Sequence, residues 1–369
     1  MVDQKINPKL KVGVNTNYTY TKSYGNVMAS YGGATPYASV LGSAWVYRPI
    51  TGSPKGAGFE QNNEDLVDNS FDPDINPSSD YRYNPAINTQ NLLNDRFSST
   101  INANGYAQYE IINGLTAKVT AGVSNANNKT NIFYNSNTYG GDRRSIGGLN
   151  GPNGSVLNAQ VFSYLNENTL TYNRVFNKAH QLNVLAGITF QGLKTNANGF
   201  SAGSLPNEEL GIEGLDEGVA TTTVSNKSTN TLMSYLGRVT YNYRSTYYLT
   251  ASFRADGSSK FSPQNHWGYF PSGGVSWRFF NTPLFRKQDF ITDGKLRLTY
   301  GVIGNNRISD FATLPTIALP ATSGYSFGNA ISPGASYSAL GNKDLKWEST
   351  SQLDIGVDLD ILKKNITNR

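Results

Sequence analysis

INANGYAQYEIINGLTAKVTAGV, residues 101–123, decides how the rest of the chain is read. Leu115, Ala117, Val119, Ala121 and Val123 alternate with Thr116, Lys118, Thr120 and Gly122, and the segment before it sets Ile101, Ala103, Ala107, Tyr109 and Ile111 against Asn102, Asn104, Gln108 and Glu110. Successive side chains of a strand point to opposite faces, so each segment has one greasy and one wet side. A helix would place apolar residues at three- and four-residue steps, which are missing here. Asn113-Gly114 between the two runs suits a two-residue type I′ turn, and the whole reads as a β-hairpin.

Working outward, the same period of two returns. It runs through Leu10–Tyr20, Leu182–Phe190, Tyr235–Tyr243, Tyr247–Phe253, Val275–Phe279, Leu296–Val302 and Leu353–Ile361. A less regular strand fills 157–176, where Leu170, Tyr172 and Phe176 share one side. This gives about ten strands, and the one candidate for a helical turn is Pro283–Lys287. Connections alternate in length. Short ones fall at 113–114, 177–180 and 244–246, with a medium one at 281–294, and long ones cover 25–95, 136–155, 195–228, 256–266 and 305–345.

Composition narrows the function classes. The 369 residues are 15% charged, low against the ~25% of soluble domains. The net charge of +5 is dispersed, with no Lys/Arg run, so nucleic acid is not an expected partner. The absence of Cys removes disulfides, thiolate metal sites and Cys nucleophiles, and two His leave little for a histidine site. No cofactor or metal is expected. No apolar run reaches the ~18 residues of a spanning helix, a test that leaves β-barrels untouched because their strands alternate.

Alternating strands joined by connections that are brief on one rim and long on the other fit an outer-membrane barrel, with tight periplasmic turns and extended outer loops. In a closed barrel every backbone N–H and C=O finds a neighbour, as hydrocarbon demands. Tyr241, Tyr243, Tyr247 and Tyr248 around one short turn, with Trp277, Phe279 and Phe280 on the same rim, suit an interfacial aromatic girdle. Ten strands alone do not call for a 70-residue loop such as 25–95, which points to a larger barrel. The expected fold is all-β, an antiparallel transmembrane β-barrel segment, with residues 1–369 forming part of the barrel domain. The opening Met1-Val2-Asp3-Gln4-Lys5 and the closing Ile366-Thr367-Asn368-Arg369 read as cuts through a longer protein whose signal peptide, plug and last strands lie elsewhere.

Three ordered motifs carry a family resemblance. They are Phe253-Arg254-Ala255-Asp256-Gly257-Ser258-Ser259-Lys260-Phe261 with His266-Trp267-Gly268-Tyr269-Phe270-Pro271-Ser272-Gly273-Gly274-Val275-Ser276-Trp277-Arg278, then Lys295-Leu296-Arg297-Leu298-Thr299-Tyr300-Gly301-Val302-Ile303-Gly304-Asn305, then Asn342-Lys343-Asp344-Leu345-Lys346-Trp347-Glu348-Ser349-Thr350. Together they resemble the SusC/RagA-like TonB-linked outer-membrane proteins. The resemblance implies a 22-stranded barrel around a plug, importing glycans, oligosaccharides or peptides. It also implies a SusD-like lipoprotein partner and energy from a TonB complex, with outer-membrane lipid around the wall. No energy-coupling box is visible in this sequence, so those features would belong to the parent protein.

Ligand contacts are expected in the long loops, at Trp45, Tyr47, Tyr134, Tyr139, Tyr325, Phe327 and Tyr337, because aromatic faces suit sugar rings and peptides alike. Trp267, Tyr269 and Phe270 read as girdle or as a ligand platform, with girdle favoured. Trp347 reads as a strand start with a sugar contact as the lesser option. His266 near Asp256 and Ser258 superficially suggests a triad, but turn chemistry explains each residue, and no enzyme is expected. Asp354, Asp358 and Asp360 on one face fit a hydrated lumen better than a pair of glycosidase carboxylates. Asn62-Asn63-Glu64-Asp65 and Asp72-Pro73-Asp74 read as solvated loop rather than calcium ligands. Two other classes stay open: a passive surface adhesin or structural β-protein, and a soluble carbohydrate-binding β-sandwich.

Overall fold

The computed structural model describes residues 2–25, 40–47, 83–144, 151–282, 291–318 and 324–361. The strands are β1 (Val2–Lys5), β2 (Leu10–Tyr24), β3 (Leu92–Ile112), β4 (Leu115–Tyr134), β5 (Asn153–Phe176), β6 (His180–Gly203), β7 (Val219–Tyr243), β8 (Tyr247–Ser258), β9 (Trp267–Trp277), β10 (Ile291–Asn305), β11 (Thr316–Ala318), β12 (Gly324–Phe327), β13 (Ala330–Pro333), β14 (Ser336–Ala339) and β15 (Glu348–Ile361). Among the described residues two short helices, α1 (Val40–Val46) and α2 (Pro85–Asn91), lie between β2 and β3. One sheet holds eleven strands in the order β1 to β10 followed by β15. Every neighbour in it is antiparallel. The sheet is an open meander, a length of barrel wall with β1 and β15 as its edges. The eleventh strand is β1, four residues ahead of the first alternating run.

The register joins the outward positions of adjacent strands into continuous rows. One row runs Leu10, Tyr109, Ala117, Leu170, Ala186, Gly237, Phe253, Pro271. Another runs Leu249, Val275, Leu298, Ile355. No second sheet covers this face among the described residues: Val119 is 47% exposed, Val275 50% and Ile355 76%. An uncovered apolar face of this extent fits hydrocarbon and argues against a soluble sandwich, whose two sheets would bury it. Asn166 and Asn168 interrupt the band, and their amides are satisfied inside the sheet. Asn168 donates to Asn166 Oδ1 at 2.6 Å, and Asn166 donates to the Thr120 carbonyl at 3.2 Å.

The tight turns gather on one rim. Asn177 and Lys178 (φ 47° and 52°) and Arg244 and Ser245 (φ 52° and 51°) are left-handed at both central positions, as a type I′ turn requires. The β3–β4 turn differs from expectation. Only Gly114 is left-handed (φ 83°), and the register slips between Glu110 and Ile112, so a bulge rather than a I′ turn closes this hairpin. Gly114 is also wedged against β5, its carbonyl accepting from Asn173 N at 2.7 Å.

The long-loop rim also departs from expectation. β5, β6 and β7 have 24, 24 and 25 residues, against the ~9–11 that cross a bilayer. Most of 195–228 is therefore strand, and the connection shrinks to 204–218. Both faces of a strand above the membrane meet water, so its sequence loses the greasy/wet alternation and reads as loop. A small buried core sits at this end, where Leu205 and Leu215 pack on Phe133 and Ala202. The helical turn expected at Pro283–Lys287 lies outside the described residues.

Replacing Gly114 with Val forces a β-branched side chain into φ 83° and drives its Cβ into the Asn173 carbonyl. The expected cost is about 1–3 kcal/mol. It should appear as a lower temperature for loss of the folded, heat-modifiable band of the complete membrane protein, whereas Asn113→Ala leaves that temperature unchanged.

Candidate functional site

The functional surface begins with how the pleat sorts charge. At the level of the apolar band the ionised side chains of the strands face inward, among them Lys11, Glu110, Lys118, Glu167, Arg238, Arg254, Lys295, Arg297, Asp354 and Asp358. The exception is Arg174, outward at the tight-turn edge with its guanidinium 5.0 Å from the Phe176 ring centroid. Several are paired there. Arg297 Nη2 donates to Asp358 at 2.8 Å, Lys11 lies 3.6 Å from Asp3, and the Lys295 ammonium sits 5.1 Å from the Tyr248 ring centroid. Small residues keep space in front of this wall. A groove of ≈ 580 Å³ is lined by Tyr248, Thr250, Ser272, Gly274, Arg297 and Asp354 among others. A second of ≈ 610 Å³ includes Asn102, Asn104, Gln191, Asn230, Lys260 and Asn306. The row of aspartates at two-residue steps belongs to this hydrated wall.

Aromatic rings mark the tight-turn edge of the outward face. Phe176, His180, Tyr243, Tyr247 and Trp277 occupy one cross-strand row. His180 Nδ1 hydrogen-bonds Tyr241 Oη at 2.6 Å, and the Tyr243 and Tyr247 rings stack at 6.4 Å. Phe279 adds an edge-on contact to Trp277 at 5.9 Å. Tyr248 does not belong to this girdle: one residue along from Tyr247, it faces inward toward Lys295. At the other edge Trp267 stacks on Tyr235 at 5.8 Å and Tyr269 on Phe253 at 6.2 Å, all on the outward face. Phe270 points the opposite way and is buried, so of these three residues only Trp267 and Tyr269 form a girdle.

The three motifs, far apart in sequence, meet at the mouth of the wall. Phe261, Phe270 and Trp347 pack together with ring centroids 5.4 and 5.3 Å from Trp347, whose Nε1 donates to the His266 carbonyl at 2.9 Å. A Cβ at Gly304 would overlap the Phe270 ring, which is why the strand carries glycine there. Arg254 forks onto Asp256 at 2.7 and 2.9 Å and onto buried Ser234 at 3.1 Å. Lys260 donates to the Ile308 carbonyl at 3.0 Å and lies 3.7 Å from Asp310. Ser258 accepts from Lys260 N and Asn306 Nδ2, both at 3.4 Å, and its own N–H donates to the His266 carbonyl at 3.0 Å. The supposed triad residues are thus tied into a loop anchor: Asp256 serves Arg254, and His266 meets Ser258 through backbone. The sugar contact weighed for Trp347 gives way to packing, for its ring is enclosed by two phenylalanines.

The loop aromatics fall into two groups. Trp45, near the end of α1, is 81% exposed, and Tyr47 follows it with N–H donated to Ser43 at 2.8 Å. Tyr139 stacks on buried Tyr83 at 5.2 Å, and Tyr134 ends β4 close by. Burial pushes the Tyr83 and Tyr134 hydroxyls above the usual tyrosine range. Tyr325 and Phe327 on β12 pair at 4.8 Å and, like Tyr337 on β14, are exposed. Strands β5 to β9 separate the two groups in the sheet order. The sequence reading missed α2, although Asn84-Pro85 signalled it: Asn84 Oδ1 caps Ala86 and Ile87 at 3.0 and 3.3 Å, and proline opens the first turn. The acidic loop segments 62–65 and 72–74 lie outside the described residues.

A family model described as TonB dependent receptor-like, beta-barrel matches residues 40–367. The chain belongs to this family of TonB-dependent receptors, and it is a segment of an outer-membrane barrel. TonB-dependent receptor P3 of Formosa agariphila is 31% identical over 99% of the chain, and TonB-dependent receptor SusC of Bacteroides thetaiotaomicron is 37% identical over 37% of it. The chain covers 34% of the length of the first and 14% of the second, so it spans about a third or less of these curated relatives. The RagAB peptide transporter shares the fold, with a TM-score of 0.76 and 23% identity over 98% of this chain and 38% of that one.

Trp347→Ala in the complete protein should open the 306–347 connection to protease at least several-fold faster while the barrel stays resistant to heat. Trp347→Phe, which keeps most of the ring contact, should fall between the two. Equal cleavage rates in all three would show that this cluster does not anchor the loop.

Proposed function

We propose that this chain is about half of the wall, eleven strands of an expected twenty-two, of an energy-coupled transporter that takes up oligosaccharides or peptides across the outer membrane. In this reading the charged face of the sheet lines the passage, a SusD-like lipoprotein covers the long-loop rim, and a TonB complex supplies energy through parts of the protein beyond these residues. The observation that carries the reading is the sorting of charge. Apart from Arg174 at the tight-turn edge, the ionised strand residues at membrane level face one side, and the other side is predominantly apolar, which supports a wall between a wet interior and lipid. The grooves on that interior offer amide, hydroxyl and ion-pair partners suited to a polar cargo. Exposed aromatics at the mouth, Trp45 on one side and Tyr325, Phe327 and Tyr337 on the other, suit the first capture of sugar rings or peptide side chains.

The test is uptake by cells carrying the intact protein, with labelled oligosaccharides and peptides supplied in parallel. Uptake should collapse when the proton-motive force is dissipated while surface binding persists. Binding with no energy-dependent uptake of either class would leave the adhesin reading in place. Removing the Tyr325/Phe327 pair as a double alanine variant should raise the half-saturating concentration about 3–10-fold, the effect of losing one aromatic contact, with maximal uptake preserved.

A further inference from the structure

We propose that the outward face of β4 to β7, just above the apolar band, binds the phosphorylated saccharide headgroup of an outer-leaflet glycolipid. The first observation is a reversal of charge. At membrane level the strand lysines Lys11, Lys118 and Lys295 face inward, whereas beyond it Lys22, Lys129, Lys194 and Lys227 all face outward. The acid on this part of the outward face is Asp95, and Lys22 holds it at 3.5 Å. Among the described residues Lys129, Lys194 and Lys227 have no acidic partner. Arg96 at this height faces inward, but a surface surrounded by water alone has no reason to turn all four lysines to one side.

The second observation is what lies between those lysines. Asn127, Gln160, Asn196 and Lys227 form one cross-strand row, and Lys129, Asn158 and Asn198 form the next. All of these except Lys227, which lies beside it, line an outward groove of ≈ 320 Å³ together with Tyr20 and Phe97. Asn127, Asn158, Asn196 and Asn198 are exposed, and in the next row down Gln160 donates to Asn125 at 3.0 Å. Planar amides beside aromatic rings match sugar hydroxyls and sugar faces, while ammonium groups match phosphates. Neither feature alone would specify this combination.

The third observation is height. Phe162, 37% exposed, shares the row of Lys194, and Tyr164 and Phe190, 42% and 38% exposed, sit below it on the same face, which places the patch level with lipid headgroups rather than with free solvent. The patch lies on the outside of the wall, away from the grooves assigned to cargo. A second copy of the chain fits it poorly, because a two-fold contact would set lysines against the same lysines with no acid between them.

The intact protein, purified from outer membranes, would be placed in nanodiscs of phosphatidylethanolamine with a fixed fraction of purified lipopolysaccharide. Lipopolysaccharide retained per protein after detergent exchange would be read by native mass spectrometry. The wild type should retain it, and the triple variant K129Q/K194Q/K227Q should lose at least tenfold. Dephosphorylated lipopolysaccharide should bind the wild type as weakly as the intact glycolipid binds the variant. A second variant, N158A/N196A/N198A, keeps the lysines and should also lose retention, which preserves the test if the first fails to fold by heat-modifiable mobility. Equal retention by the variants and wild type would overturn the proposal. So would phosphatidylglycerol displacing the glycolipid with equal efficiency, or a change of oligomeric state in the variants with lipid retention intact.

Discussion

In hydrocarbon a backbone amide has no water to turn to, and that constraint organises everything seen in this chain. Each strand from β1 to β10 hydrogen-bonds its sequence neighbour and β15 closes on β10, so the meander satisfies its main chain largely hairpin by hairpin. Once the backbone is settled, the pleat does the sorting: odd and even positions fall on opposite faces, and register carries that parity from Leu10 on β2 to Ile355 on β15 without a break. A one-residue slip in any pair would set lysines and arginines into lipid. The bulge at Ile111 is tolerated because it lies at the turn, where the strand is leaving the bilayer.

The same parity explains which parts were legible in the sequence. Alternation is written only where the two faces meet different solvents. Leu182–Phe190 and Leu353–Ile361 announced themselves as strands, and the SusC/RagA-like motifs led to the family now shown for the chain. Residues 195–203 and 219–228 are equally extended but wet on both sides, so their Asn, Ser and Thr content read as loop. Tyr248 was assigned to the wrong face because proximity to a turn was weighed above parity with Tyr247. Phe270 likewise sits one step from Tyr269 and so belongs inside.

The candidate site was legible in kind rather than in detail. Polar residues opposite apolar ones imply a hydrated face, and that face exists with its ion pairs Arg297–Asp358 and Arg254–Asp256. What a linear reading could not supply is the meeting of Phe261, Phe270 and Trp347, separated by up to 86 positions in the numbering yet packed with both phenylalanine rings 5.3–5.4 Å from Trp347. Residues that seemed to promise chemistry, His266, Asp256 and Ser258, hold loops in place instead. Loop aromatics such as Trp45 and Tyr337 stand largely exposed, the condition under which a ring can meet a visitor.

Strands that outrun the bilayer have a mechanical consequence. About ten residues of β4 to β7 stand past the last lipid-facing aromatic, and at roughly 3.3 Å per residue and a tilt near 40° they lift the mouth roughly 25 Å above the membrane surface. The barrel is thus a chimney rather than a manhole. Its rim on this side stands clear of the headgroup layer, so the outer ends of β4 to β7 meet water on both faces.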